Sequence, residues 1–200
     1  MSSAASLPRY TPEQYLALER QAETKSEYYD GVIHAMSGAT REHNLISLNL
    51  GGEINRQLKS ARCEAYSGDM RVLVDSTGLY TYPDIIIVCD EPRFLDGEFD
   101  TLLNPTVLIE VLSPSTEAYD RGKKFRHYRR IASLREYVLV AQDRMSVERY
   151  ARKGEDWVLT DKNSLDDVLR LDSVKCEVSL RDIYDKVQFP VDEDEKGAAS

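Results

Sequence analysis

Four apolar runs, Val72-Leu73-Val74, Ile85-Ile86-Ile87-Val88, Val107-Leu108-Ile109 and Tyr137-Val138-Leu139-Val140, dominate the middle of the chain. They are apolar at every position rather than at alternate ones, the pattern of strands buried on both faces of a sheet. Between the third and fourth runs, Tyr119 to Ile131 has helical spacing, so the order there reads strand, helix, strand. Upstream, Ile46, Leu50, Ile54 and Leu58 recur every four residues and predict an amphipathic helix over roughly 41 to 59, weakened in its middle by Gly51-Gly52. Near the start, Thr11-Pro12-Glu13-Gln14 reads as a capping box that opens a helix whose apolar stripe is Tyr15, Leu16 and Leu18. Asp30-Gly31 lies between the β-favouring stretches Glu27-Tyr28-Tyr29 and Val32-Ile33, a strong signal for a type I′ hairpin. A second hairpin is expected from Met145–Tyr150 and Trp157–Thr160 around Lys153-Gly154.

Two hundred residues, 42% hydrophobic and 30% charged, suit one ordinary domain with a sizeable core. The pattern shows no internal repeat and no linker, and predicts a short N-terminal arm over 1–10, a domain over 11–189 and an acidic tail over 190–200. Collagen, coiled-coil, disulfide-miniprotein and disordered classes are excluded. The net charge of −9 argues against a chain that coats nucleic acid over its whole surface. Part of that charge lies in Asp192-Glu193-Asp194-Glu195, which leaves room for a local basic site. Three cysteines, Cys63, Cys89 and Cys176, show neither CxxC nor histidine-spaced pairing, so the expectation is reduced thiols, no zinc site and a cytoplasmic setting. No signal peptide and no membrane-spanning run is read from the sequence.

Two carboxylates stand where a plain sheet core would not put them. Asp84 follows Pro83 and opens an isoleucine run, and Glu110 lies inside Thr106-Val107-Leu108-Ile109-Glu110-Val111-Leu112. A buried carboxylate without a partner costs several kcal/mol or takes up a proton, so a cation or donors are expected beside these two. Divalent Mg²⁺ or Mn²⁺, which favour oxygen ligands and retain waters, fit such a pair. At about 100° per residue, Phe125, Tyr128 and Ile131 define an apolar arc that contains Lys124, whereas Lys123, Arg126 and Arg130 point away. Lys124 is therefore the lysine aimed at the sheet. The stretch Arg121 to Arg130 carries six Lys or Arg in ten residues, a solvated helix face or a set of phosphate contacts.

The succession Pro83-Asp84, Glu110-Val111-Leu112-Ser113-Pro114-Ser115, Asp120-Arg121-Gly122-Lys123-Lys124-Phe125 with Tyr128, and Glu136-Tyr137-Val138-Leu139-Val140 resembles the Uma2 family, also known as DUF820, of putative restriction endonucleases in the PD-(D/E)XK superfamily. Glu27-Tyr28-Tyr29-Asp30-Gly31 resembles the opening motif of the same family. The resemblance runs from about Thr11 to about Gln188. It implies an α/β (α+β) fold, with a restriction-endonuclease-like central mixed sheet flanked by helices and, here, an additional β-hairpin region. It also implies a metal-dependent DNA endonuclease using Mg²⁺ or Mn²⁺, with Asp84 and Glu110 as metal ligands, Glu27 completing the metal shell, and Asp84, Glu110 and Lys124 as the catalytic set. Two positions after Glu110 the superfamily pattern has lysine and this chain has Leu112, so the lysine is expected from the following helix at Lys124. Arg121, Lys123, Arg126 and Arg130 are the expected nucleic-acid contacts, DNA the expected partner, and a homodimer a reasonable assembly for cutting both strands.

Two other functions remain open at this point: a nuclease fold that binds nucleic acid or regulates without turnover, and a metal enzyme acting on another phosphate-containing substrate. The chain has no Gly-rich phosphate loop of the Walker or dinucleotide type, which counts against the latter. His43, near a helix start, reads as a cap-region or surface residue, and Tyr128 as a packing residue with its hydroxyl near the site.

Overall fold

The computed structural model describes residues 8–190; the first seven residues and the acidic tail from 191 lie outside the described residues. The helices are α1 (Pro12–Glu19), α2 (Arg41–Leu58), α3 (Glu117–Tyr119), a π turn (Asp120–Lys124), α4 (Phe125–Tyr128) and α5 (Leu180–Ile183). The strands are β1 (Ser26–Tyr29), β2 (Val32–Ala35), β3 (Cys63–Ser67), β4 (Arg71–Val74), β5 (Leu79–Thr81), β6 (Ile85–Cys89), β7 (Thr101–Leu102), β8 (Val107–Leu112), β9 (Glu136–Ala141), β10 (Val147–Lys153), β11 (Asp156–Lys162), β12 (Val168–Leu171) and β13 (Cys176–Ser179).

A mixed six-stranded sheet runs β11-β10-β9-β8-β6-β3, a five-stranded sheet runs β2-β1-β5-β4-β7, and β12-β13 form a separate pair. In the larger sheet β8 and β9 are parallel, joined by the α3–π–α4 crossover, and the other neighbours are antiparallel. The fully apolar runs became β4, β6, β8 and β9 because each lies within the core rather than at its surface. One face of the larger sheet packs Ile85, Ile87, Val107, Ile109 and Val138 against Ile46, Leu50, Ile54 and Leu58 of α2. Its opposite face carries Ile86, Val88, Leu108 and Tyr137, which share a second core with Val72, Val74 and Leu79 of the smaller sheet and with Tyr128 of α4. A third, smaller core joins α1 to the outer face of the smaller sheet through Tyr15, Tyr28 and Tyr80.

The local signals mostly took the predicted form. Thr11 and Gln14 close a reciprocal capping box, and Asp30 and Gly31 take φ of 46° and 81° in the β1–β2 turn. The helix over 41–58 is continuous through Gly51-Gly52. Leu18 departs from the expected stripe: Tyr15 and Leu16 are buried, but Leu18 is 52% exposed, because a short helix lying on one face of a sheet has only one covered side. The helix expected over 119–131 is shorter and broken by the π turn, ending at Tyr128.

The cysteines correct the sequence reading. Cys63 and Cys89 form a disulfide, with Cα atoms 4.0 Å apart, because the antiparallel register of β3 and β6 places them opposite each other. Cys176 remains a buried free thiol. No helix among the described residues is long and apolar enough to cross a membrane.

Candidate active site

A charged cluster occupies one end of the core between the two sheets. Glu27 comes from β1 of the smaller sheet, Glu110 from β8 of the larger one, and Asp120 and Lys124 from the π turn. Lys124 Nζ lies 3.0 Å from Glu27 Oε1, 3.0 Å from Glu110 Oε1 and 3.6 Å from Asp120 Oδ1. Glu110 and Lys124 are each 5% exposed, which makes them a buried charge cluster rather than a surface ion pair.

The π turn helps to create this meeting. Asp120 and Lys124, four residues apart, both face inward, and Tyr128 continues the same face one turn later. The Tyr128 hydroxyl donates to Glu110 Oε1 at 2.7 Å, and Thr81, also buried, donates to Glu27 Oε1. The two glutamates are thus fixed by a hydroxyl and a shared ammonium. π turns recur at functional sites.

Asp84 lies immediately before β6. The register Ile85↔Ile109, continued by one residue, sets it beside Glu110. Its Oδ2 accepts the Val111 amide at 2.7 Å, and its Oδ1 lies 3.1 Å from His43 Nε2. His43 is in the first turn of α2, where Thr40 caps the helix by accepting the His43 amide. This contact was missed by sequence reasoning: no linear signal couples the start of α2 to the start of β6, and only the packing of α2 across the sheet brings them together.

Burial drives the electrostatics. The Glu110 carboxyl is pushed well above its ordinary range, chiefly by desolvation and further by Asp120 and Asp84, against the opposing pull of Lys124. Desolvation likewise raises Asp120. Burial works against the charged form of Lys124, but Glu110, Glu27 and Asp120 outweigh it and hold the ammonium well above its ordinary range. Tyr119, whose ring lies 6.0 Å from Lys124 Nζ, is pushed up to about 12 by burial and by Glu27.

Asp84 and Glu110 together present the hard oxygen donors that a divalent cation with retained waters requires, so the donor set fits Mg²⁺ or Mn²⁺. Among the described residues no three His, Cys, Asp or Glu side chains are grouped to enclose an ion. Lys124 lies between Glu27 and Glu110 and holds both.

The basic stretch divides. Arg121 is paired with Glu117 and Glu148, so its charge is already satisfied within the fold. Lys123, Arg126 and Arg130 are exposed and make no ion pair among the described residues.

The sequence profile of the Uma2 family, described as "putative restriction endonuclease", matches residues 12–182. The chain belongs to the Uma2 family. Two Synechocystis sp. proteins, both uncharacterized, are similar to it: slr1290 at 35% identity, over 94% of this chain and 98% of that protein, and sll1609 at 36% identity, over 76% of this chain and 86% of that protein. A crystal structure described as a putative nuclease belonging to DUF820, from Anabaena variabilis, shares the fold with a TM-score of 0.72 and 21% identity, covering 90% of this chain and 99% of that one. The Uma2 match spans every element that contributes to the charged cluster, from Glu27 on β1 to Tyr128 on α4.

Proposed function

We propose that this Uma2 protein is a metal-dependent DNA endonuclease whose site is built from Asp84, Glu110 and Lys124, with Glu27 supporting. The observation that carries the reading is the convergence of Glu27, Glu110 and Lys124 from three separate elements within hydrogen-bonding distance, with Asp84 just before the strand that neighbours Glu110. The buried Glu110 and half-buried Glu27, held by one buried lysine, cost free energy to keep, and such buried ion pairs are often replaced by apolar side chains without loss of stability.

Asp84 and Glu110 would hold Mg²⁺ or Mn²⁺, with Glu27 as a further ligand, and the cation would supply Lewis-acid stabilisation of charge on the scissile phosphate. Lys124, whose ammonium is favoured by Glu110, Glu27 and Asp120 around it, would donate hydrogen bonds and offset negative charge as the phosphate becomes pentacoordinate. Tyr128 and Thr81 fix the glutamate oxygens, and Val111 and His43 fix Asp84. Lys123, Arg126 and Arg130 supply cations for backbone phosphates over a limited patch, consistent with a chain whose net charge is −9.

Incubation of supercoiled plasmid with Mg²⁺ or Mn²⁺ tests the proposal. Wild type converts it to nicked or linear product, and Asp84→Ala, Glu110→Ala and Lys124→Ala do not. Equal cleavage by all four proteins contradicts the assignment.

A further inference from the structure

We propose that Tyr29 and His127 form a stacking platform for an unpaired DNA base at the mouth of the site, so that the preferred substrate has a single-stranded stretch next to the scissile phosphate. The inference rests on the nuclease reading of the same site and specifies its substrate.

Side chains alternate along a strand, so Glu27 and Tyr29 leave β1 on one face and Tyr28 on the other. Tyr28 is buried against Tyr15 and Tyr80 on the side away from the charged cluster. Glu27 reaches Lys124, so Tyr29 stands on the site's side of β1, two residues nearer the Asp30-Gly31 turn. On the opposite wall His127 is three residues beyond Lys124, one turn along the helical segment. The two rings meet edge to face with centroids 4.7 Å apart. The elements that carry Glu27 and Lys124 therefore both continue into one aromatic pair.

That pair is more open than packing requires. Tyr29 is 40% exposed, although large aromatic side chains gain most from complete burial. His127 Nδ1 is buried without a hydrogen-bond partner among the described residues, so that edge of the ring makes no polar contact. Burial, with Arg126 and Arg130 alongside, holds its pKa below the ordinary histidine value.

The surroundings select the occupant. Arg126 on α4 and Arg130 just beyond it both act electrostatically on His127, and with Lys123 of the π turn they are exposed and free of ion pairs among the described residues. Cations beside an open aromatic plate suit a ligand with alternating phosphates and flat rings, which is a nucleic-acid strand. In a duplex the base faces are covered by their stacked neighbours, so only an unpaired base offers a face to Tyr29.

Fluorescence anisotropy of the full chain in EDTA, with a short labelled single strand of DNA and with its duplex, tests the platform without cleavage. Tyr29→Ala is expected to weaken single-strand binding roughly tenfold while changing duplex binding less than about twofold. Tyr29→Trp, which keeps the plate, binds the single strand at least as tightly as wild type. The salt dependence of single-strand binding stays the same in Tyr29→Ala, because no phosphate contact is removed. If wild type binds DNA and Tyr29→Ala binds the single strand equally well, or loses both substrates alike, the platform is overturned and the nuclease reading stands. Binding of neither DNA form by wild type overturns both.

Discussion

Lys124 Nζ lies 3.0 Å from Glu110 Oε1 and 3.0 Å from Glu27 Oε1, joining a strand of the larger sheet to a strand of the smaller one through a single buried ammonium. Removing that charge leaves two carboxylates in the core without their cation. Lys124→Met is expected to cost about 3–5 kcal/mol in urea unfolding, with part of the loss recovered in Lys124→Met/Glu110→Gln, which removes one of the stranded charges. A Lys124→Met protein as stable as wild type would show that the cluster does not hold the sheets together. Asp84 lies at the open edge of the cluster, so Asp84→Asn is the variant best suited to separate activity from folding.

Tyr128 is fully buried, and its hydroxyl aims one Glu110 oxygen at 2.7 Å. Tyr128→Phe keeps the ring and is expected to lose about 1 kcal/mol of stability. If Glu110 is a metal ligand as proposed, the hydroxyl orients that ligand, and Mn²⁺ affinity should fall about 10- to 100-fold in a calorimetric titration. Unchanged Mn²⁺ affinity would assign the hydroxyl to packing alone.

A second polar network ties α1 to the smaller sheet. Asp100 accepts from Arg20 Nε at 2.7 Å and lies 2.8 Å from Arg71 Nη2, whose guanidinium is buried beneath Tyr15 and Tyr82. Hydrogen bonding from Arg20, helped by Thr101 and Arg71, holds the Asp100 carboxyl far below its ordinary value of 3.8. A pKa lowered by folding contributes stability that is present above the unfolded value and lost as pH falls through the folded one. Stability should therefore decline below about pH 4, and Asp100→Asn should cost about 1–2 kcal/mol at neutral pH while flattening that decline. Unfolding curves measured across the acid range would show the two profiles converging.

Cys63 and Cys89 are separated by 26 residues, and joining them limits the unfolded chain. The oxidised protein should be about 3 kcal/mol more stable than the reduced one, and Cys63→Ala/Cys89→Ala should match the reduced form. Peptide mapping under non-reducing conditions should recover the linked pair. Cys176, buried and with its thiol pKa raised by desolvation, should react with a thiol reagent only on unfolding.

How far the molecule was legible depended on whether the signal was local. The runs around Ile86, Leu108 and Leu139, the four-residue repeat of α2 and the Asp30-Gly31 turn are short-range patterns, and each became the expected element. Strands such as β3, Cys-Glu-Ala-Tyr-Ser, and the β12–β13 pair lack an apolar run, since their side chains alternate between core and solvent, and they were not anticipated. Lys124 was distinguishable from Lys123 because helical rotation separates neighbours, and the structure buries the former and exposes the latter. The Cys63–Cys89 bond and the His43–Asp84 contact depend on strand register and on helix packing, which single-sequence spacing does not encode. Arg121 shows the same limit from the other side: its charge reads as available in sequence, but the fold brings Glu148 of β10 against it.

The most direct test of the account is the initial rate of supercoiled-plasmid nicking in Mn²⁺ for Asp84→Asn and Glu110→Gln beside wild type, each checked for native unfolding behaviour. The account predicts a loss of at least about 100-fold in each variant, with wild-type activity abolished by EDTA and restored by added metal. Nicking at the wild-type rate by either folded variant would contradict it.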